Sequence, residues 1–211
     1  MAPMLMDGYG RVVTNLRISI TDRCNLRCVY CMPADPVWMP HPEILSFEEI
    51  ERLVRVAASL GVTDFRITGG EPTARKELPD LVRRVAAVPG VKDLALTTNG
   101  ILLGKLARPL WEAGLRRINI SLDTLKGEKF VHLARRDGFR QTWDGILEAD
   151  RVGFRPMKIN MVVLRGVNDD EVADFAEMAR TRPWQIRFIE FMPLDGDGGW
   201  TREQVVPAKE I

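Results

Sequence analysis

The sequence predicts an α/β protein built on one parallel β-sheet, with helices packed outside the sheet. Six short runs alternate between aliphatic and polar residues, which is the pattern of half-buried strands. Loops and stretches of helical period separate these runs, and alternating strand and helix units favour a parallel sheet. Because strand–helix crossovers are right-handed, the sheet is expected either to curl into an open barrel or to carry helices on both faces. The 211 residues suffice for one such domain.

The elements follow one another in regular order. Strands are expected at residues 16–21, 64–68, 94–97, 117–122, 157–163 and 185–189. Helices are expected at residues 46–61, 78–87, 103–113, 143–152 and 170–180, the first of them starting with a capping box at Ser46-Phe47-Glu48-Glu49. Residues 1–10 are expected to form a loose lead-in, and residues 33–45, which contain four prolines, an irregular loop. Residues 206–211 have the pattern of a helix that opens with proline in its first turn.

The composition is that of an ordinary soluble globular protein. Hydrophobic residues make up 45% and charged residues 28% of the chain, and the net charge is +1. Such a balance gives no electrostatic reason to expect binding to nucleic acid or to a membrane surface. The sequence has no apolar run near the roughly 18 residues of a membrane span, and its start lacks the features of a signal peptide. A cytoplasmic location, where thiols stay reduced, is therefore expected.

All three cysteines lie within eight residues, in a C-x3-C-x2-C spacing at Cys24, Cys28 and Cys31. Three thiolates on one loop are suited to an iron–sulfur cube, which usually takes four cysteines, so that one iron would be left open for a substrate. Zinc is an alternative if a histidine supplies a fourth ligand, with His41 nearer in sequence than His132. A disulfide would leave one thiol over. Cysteines with no metal remain the third alternative.

The polar side of the predicted strands is unusual for a barrel interior. A closed eight-stranded barrel fills its interior with branched aliphatic residues. Here the inward positions hold hydroxyls, amides and cations, among them Arg17, Arg66, Thr97, Lys158 and Arg187. Buried cations without partners are costly, and arginine matches phosphate, so an anionic ligand bearing phosphate is expected inside the sheet. The alternative is that these cations pair with carboxylates inside the barrel.

Around and beyond the cysteine loop, the sequence holds blocks at residues 16–33, 68–72, 97–100, 119–123 and 187–193 that together resemble the GTP 3′,8-cyclase family of the radical S-adenosylmethionine (SAM) superfamily. The cysteine spacing, with an aromatic residue before the last cysteine, resembles the superfamily signature. The blocks span nearly the whole chain, and the three in the middle are Thr68-Gly69-Gly70-Glu71-Pro72, Thr97-Thr98-Asn99-Gly100 and Asn119-Ile120-Ser121-Leu122-Asp123.

The resemblance implies a partial (β/α)6 barrel similar to a TIM barrel, and it implies two cofactors, a [4Fe–4S] cluster and SAM. It places the cluster on the three cysteines, SAM at Tyr30, Gly70, Ser121 and Met192, and GTP at Arg17, Arg66, Thr97 and Lys158. Taken alone, Tyr30 and Met192 are equally compatible with packing, and Gly-Gly-Glu-Pro with a plain turn.

In the implied reaction, a 5′-deoxyadenosyl radical removes hydrogen from C3′ of GTP, and the carbon radical then attacks C8 of guanine. The resemblance also implies a lyase, an external electron donor, a downstream cyclic pyranopterin monophosphate synthase and a candidate homodimer.

The end of the sequence departs from the family pattern. The resemblance implies a C-terminal part with a second three-cysteine cluster, yet no cysteine follows Cys31. We therefore expect a radical SAM core at residues 1–194 and the start of a truncated C-terminal region at 195–211, with weak or absent cyclase activity. Another radical SAM enzyme, such as a peptide maturase, and a non-catalytic iron–sulfur protein are alternatives. Residues 195–199 are expected to be a flexible loop, and the arginine pairs at 83–84, 116–117 and 135–136 to be solvated.

Overall fold

Six parallel strands form one sheet in the computed structural model, which describes residues 4–194 and 198–211. The strands are Asn15–Ser19 (β1), Asp64–Thr68 (β2), Asp93–Thr98 (β3), Arg117–Ser121 (β4), Met157–Val163 (β5) and Trp184–Glu190 (β6). Each strand pairs with the next strand in the sequence, in the order β1-β2-β3-β4-β5-β6. A doubly wound sheet would reverse its strand order at a switch point. The doubly wound alternative is therefore wrong, and the partial barrel is confirmed.

Helices follow the strands. They are Phe47–Ser59 (α1), Leu78–Ala86 (α2), Leu103–Glu112 (α3), Gly127–Ala134 (α4), Phe139–Val152 (α5) and Val172–Thr181 (α6). Helix α4 was not expected from the sequence, and α5 begins four residues before the expected start. Both lie in the long connection between β4 and β5, where a helix of only eight residues gives a weak periodic signal.

The two faces of the sheet differ as the alternation predicts. The aliphatic face packs under the helices and is almost fully buried, with Ile67, Leu96, Ile118 and Ile159 at 0% exposure. The opposite face lines the inside of the partial barrel and carries the polar residues. Because all six strands are parallel, their carboxyl ends meet at one edge. The loops that leave this edge carry the three cysteines and the Gly-Gly-Glu-Pro turn.

Both ends of the chain differ from expectation. Residues 4–13 are not a loose lead-in, because Met6 bridges Val12 in antiparallel fashion and the Leu5 N–H donates to the Leu60 carbonyl. Near the C-terminus, the expected helix is replaced by a turn at residues 208–210, and Val205 bridges Leu164. The expected loop at 33–45 is irregular apart from a 3₁₀ turn at His41–Glu43. Of the expected flexible loop at 195–199, residues 195–197 lie outside the described residues.

The capping box at the start of α1 is present as predicted. The Glu49 N–H donates to the Ser46 hydroxyl oxygen at 3.2 Å, and the Ser46 N–H donates to Glu49 Oε2 at 2.7 Å. Two amides that the first helical turn leaves without partners are satisfied in this way.

Replacing Ser46 with alanine should lower the free energy of unfolding by about 1 kcal/mol, because one of these amides loses its acceptor. Urea denaturation followed by circular dichroism would measure the loss. Ser59→Ala is the matched control at the other end of α1, where the hydroxyl only donates to the Val56 carbonyl. An equal loss in both variants would contradict the capping role.

Candidate functional site

The cysteine loop follows β1 and is held at the carboxyl edge of the sheet by backbone contacts. The Arg27 N–H donates to the Ala134 carbonyl and the Val29 N–H to the Leu133 carbonyl, so the end of α4 supports the loop from one side. The Arg27 guanidinium donates back to the carbonyls of Cys24 and Leu26 at 2.8 and 2.7 Å. These contacts fix the segment between the first two cysteines. Helix α4, which the sequence did not reveal, is therefore part of the site.

The three thiols are free and lie close enough to influence one another electrostatically. Cys24 and Cys28 are half-buried and Cys31 is exposed. Burial raises the pKa of all three thiols, and the Asp123 carboxylate raises the pKa of Cys28 and Cys31 further. Thiolate formation is thus favoured only beside a compensating positive charge, which the iron of a bound cluster would supply. All three cysteines are free thiols, which agrees with the argument that a disulfide would leave one thiol over.

The zinc alternative gains no support from the positions of the histidines. His41 lies in the exposed 3₁₀ turn and lines a groove with Thr21 and Arg23, and His132 is an exposed residue of α4. Within residues 4–194 and 198–211, no three His, Cys, Asp or Glu side chains are arranged to bind a single metal ion. A [4Fe–4S] cube differs in this respect, because each cysteine binds a different iron, so its ligands lie further apart than those of one ion.

The glycines of the Gly69-Gly70 turn are required by a close approach to the chain itself. The Gly70 N–H donates to the Thr21 carbonyl at 2.6 Å, and the Glu71 N–H donates to the Arg23 carbonyl at 2.8 Å. A Cβ atom on Gly70 would collide with the carbonyl oxygens of Asp22 and Arg23, the latter 2.5 Å away. The turn after β2 is thereby pressed against the segment that leads into Cys24. Its role in holding SAM stays a prediction.

Glu71 connects this turn to the end of β3, although it is fully buried. Its Oε1 accepts hydrogen bonds from the Thr73 N–H, the Thr73 hydroxyl and the Thr98 hydroxyl, and its Oε2 accepts from the Asn99 N–H at 2.7 Å. The Thr98 hydroxyl donates because the carboxylate can only accept, and its own oxygen accepts from the Gly100 N–H. Burial raises the pKa of Glu71, and the four donors oppose that shift and stabilise the carboxylate.

Asn99 extends this network to the cysteine loop. Its side-chain amide donates to Asn25 Oδ1 at 2.7 Å, and Asn25 directly follows Cys24. The end of β3 therefore positions the first cysteine as well as the Gly-Gly-Glu-Pro turn. The family-like blocks at residues 68–72 and 97–100 meet the cysteine loop through these contacts, which no single block could have revealed.

A small cavity of about 30 Å³ brings together some of the predicted SAM residues. Cys28, Tyr30 and Ser121 line it, together with Asn99 and Asp123. Met192 follows β6, is 51% exposed and does not line this cavity. Gly70 lies in the neighbouring turn. The structure thus brings Tyr30, Ser121 and the cysteine loop together and leaves Met192 at the surface.

The inside of the barrel holds a group of cations, as the polar alternation predicts. Arg17 and Arg66 are register neighbours on β1 and β2, and Asn160 on β5 pairs in register with Arg187 on β6. Burial lowers the pKa of Arg66 and of Lys158, and repulsion by neighbouring arginines lowers both further. Among the described residues, none of these four cations forms an ion pair with a carboxylate.

The sequence analysis did not identify two charged residues of the barrel interior, Arg117 and Asp93. Arg117 was expected to be solvated with Arg116, but it is the first residue of β4, and its charge acts on both Arg66 and Lys158. It pairs with Asp93 of β3, so the alternative of internal ion pairs applies to this one arginine. Arg117 already lies in the expected strand at 117–122, on the same side as Asn119, and starting the expected strand at 94–97 one residue earlier would have placed Asp93 on the same side as Thr97.

Two buried polar atoms inside the barrel lack partners in the described chain. They are Nε of Arg66 and Oδ1 of Asn160, a donor and an acceptor. Buried polar groups are nearly always hydrogen-bonded in native proteins. Thr97, which is half-buried, accepts only a long contact of 3.4 Å from the Asn119 amide. The interior therefore has unused hydrogen-bonding capacity that suits a polar, anionic ligand.

The chain belongs to the radical SAM superfamily, because the model of that family matches residues 18–179. Its curated relatives include proteins named GTP 3′,8-cyclase. One from Pelotomaculum thermopropionicum is 50% identical and one from Moorella thermoacetica 51% identical, each over 98% of this chain and 64% of the relative. The chain thus spans about two thirds of the length of these relatives. The fold is similar to that of methylornithine synthase, with a TM-score of 0.71 at 18% identity, covering 92% of this chain and 58% of that protein.

Membership of this superfamily implies a [4Fe–4S] cluster and SAM as cofactors, and the residues present fit them. Three free thiols lie together on one loop at the carboxyl edge of the barrel, beside a cavity and a glycine turn. No helix among the described residues has the length and apolar character needed to cross a membrane.

Replacing Gly70 with alanine should displace the cysteine loop, because the added methyl group meets backbone oxygens that have no freedom to move aside. We expect a loss of about 2–4 kcal/mol in the free energy of unfolding, the range of severe steric substitutions, measured by urea denaturation of the iron-free chain. Gly104→Ala is the matched control, because a Cβ atom at that helical position meets nothing within 4 Å. It should be neutral or stabilising. A neutral Gly70→Ala would contradict the close-approach argument.

Proposed function

We propose that the chain is the radical SAM core of a GTP 3′,8-cyclase, a lyase of molybdenum cofactor biosynthesis. The observation that carries the proposal is the 50–51% identity to proteins of that name over 98% of the chain. The cation group inside the barrel supports it independently, because a triphosphate is the kind of ligand that several unpaired arginines and a lysine would bind.

Cys24, Cys28 and Cys31 would hold the cluster through their thiolates. When bound, the cluster and SAM together supply a 5′-deoxyadenosyl radical, which in this proposal takes hydrogen from C3′ of GTP. Ser121 and Tyr30, which lie together beside Cys28, would contact SAM, and Gly70 would present its backbone to the methionine part of SAM. Met192, which is exposed in this structure, would have to turn toward the adenine.

The inward cations would bind GTP. Arg66 is the central candidate, because its Nε is buried without a partner and it lies beside Arg17 in the register of the sheet. Lys158 would add a third positive charge, and Thr97 a hydroxyl donor from β3. Mutual repulsion among the cations, which lowers the pKa of Arg66 and Lys158, would be relieved by a bound phosphate.

The proposed enzyme also has an electron donor, a partner enzyme, a location and an assembly. An external donor supplies the electron, a cyclic pyranopterin monophosphate synthase uses the product, the enzyme works in the cytoplasm, and a homodimer is its candidate assembly. We place the core at residues 1–194 and the start of the following region at 195–211. The chain has no cysteine after Cys31, so a second cluster would have no cysteine ligands in it. The core would cleave SAM and bind GTP inside the barrel.

Anaerobic reconstitution with iron and sulfide, followed by reduction with SAM in the presence and absence of GTP, tests the proposal. We expect 5′-deoxyadenosine and little or no cyclised GTP, because the three thiols suffice for the first cluster. Abundant cyclised product would contradict the expectation that a second cluster is needed. Deoxyadenosine formation that GTP never alters would favour a different radical SAM enzyme, and a cluster that never binds SAM would favour a non-catalytic iron–sulfur protein.

Replacing Arg66 with glutamine should weaken GTP binding about 10- to 100-fold, because a charge-assisted contact to phosphate is lost. Equilibrium dialysis with the reconstituted protein would measure the dissociation constant. Arg116→Gln is the matched control, because Arg116 is exposed and stacks on Trp111 outside the barrel. Equal GTP affinity in both variants would exclude the barrel interior as the nucleotide site.

A further inference from the structure

The hydroxyl of Tyr30 lies between two groups that compete for its single proton. It donates to Oδ2 of Asp123 at 2.5 Å, a contact between residues 93 positions apart in the sequence. The Cys28 thiol lines the same small cavity as Tyr30 and Asp123, and it interacts electrostatically with the phenol. A phenol has one proton to donate, so a hydrogen bond to the carboxylate excludes donation to the sulfur.

The Asp123 carboxylate is fixed so that it faces Tyr30. Its Oδ1 accepts from the Val162 N–H on β5 at 2.8 Å, which leaves Oδ2 for the phenol. Its main-chain carbonyl accepts from the side-chain amide of Asn168 at 2.7 Å. Asn168 is fully buried. Its amide nitrogen also donates to the Val162 carbonyl on β5, and its Oδ1 accepts from the Leu164 N–H just after β5. The carboxylate therefore cannot rotate away without leaving a buried N–H unsatisfied.

We propose that Asp123 is a positioning residue that acts through Tyr30, holding the phenol proton away from the sulfur of Cys28. The inference rests on the proposed cluster site and deepens it. Hydrogen bonds to the sulfur ligands are one of the factors that set the reduction potential of an iron–sulfur cluster. Because Asp123 accepts the hydrogen bond from the phenol, Cys28 receives no hydrogen bond from Tyr30. The reduction potential of the cluster therefore stays low.

Replacing Asp123 with asparagine redirects this proton. The amide oxygen must accept from the buried Val162 N–H, so the amide nitrogen faces Tyr30 and donates to the phenol oxygen. The phenol proton is then free to donate to the Cys28 thiolate. A new hydrogen bond to a thiolate favours the reduced cluster, which carries more negative charge. We expect the equilibrium constant for reduction to rise roughly three- to tenfold.

Redox titration of the reconstituted cluster, monitored by electron paramagnetic resonance, tests the proposal. Asp123→Asn should shift the midpoint potential upward. Tyr30→Phe should leave it near the wild-type value, because the phenol proton does not reach Cys28 in the wild type. The double variant should lose the part of the shift that passes through the phenol and keep only the part that comes from removing the Asp123 charge, which acts directly on Cys28 and Cys31. Partial cancellation of this kind is not expected of a residue that only supports the fold.

Glu171→Gln is the matched control. Glu171 is a second fully buried carboxylate, held by the Thr124 hydroxyl and the Leu125 N–H, and it does not contact Tyr30. Its replacement should lower the thermal unfolding temperature and leave the potential unchanged.

An upward shift in the double variant as large as that in Asp123→Asn would overturn the proposal, as would no shift in Asp123→Asn. If Asp123→Asn fails to fold, Tyr30→Phe decides by itself, since a lowered potential would mean that Tyr30 already donates to Cys28. Failure of the wild-type chain to assemble a cluster would overturn the proposed function together with this inference.

Discussion

The contact between the Gly69-Gly70 turn and the backbone of residues 21–23 is the constraint on which the site depends. It places two loops from neighbouring strands so close that no Cβ atom fits between them. Glu71 then connects this contact to the end of β3 through two donors, the Thr98 hydroxyl and the Asn99 N–H, and Asn99 connects it back to the cysteine loop through Asn25. The position of the first cysteine is therefore determined by three strand ends rather than by its own loop.

A second set of contacts supports the loop from the opposite side. Helix α4 accepts the Arg27 and Val29 amides, and Tyr30 is bound to Asp123 at the end of β4. Asp123 is in turn fixed to β5 and to Asn168. Because contacts within the protein hold the loop from both sides, its thiols are preorganised to bind a cluster. Preorganisation of this kind lowers the ordering cost of binding a cluster and a cofactor.

The interior of the barrel has the opposite character, since its charges repel one another. Arg17, Arg66, Lys158 and Arg187 share one polar interior, and of the cations there only Arg117 has a carboxylate partner within the described chain. The fold tolerates this because the aliphatic faces of the same strands are fully buried under the helices. The buried aliphatic face under the helices stabilises the fold, and the polar face inside the barrel remains available to bind a ligand. Such local departures from ideal packing are typical of functional sites.

The six strands and the two faces of the sheet could be predicted from the sequence, because the period-two alternation reports which side is buried. The parallel arrangement followed from the alternation of strand and helix units. The sequence also determined the capping box of α1 and the grouping of the three cysteines, which are local features. Other features depended on tertiary structure. Asp123 and Tyr30 are 93 residues apart, Asn25 and Asn99 are 74 apart, and no local pattern reports that such side chains meet. Likewise, the sequence around Gly70 indicates only a turn. The need for a residue without a Cβ atom arises because the fold places β1 and β2 side by side, which brings the turn against the backbone of residues 22 and 23.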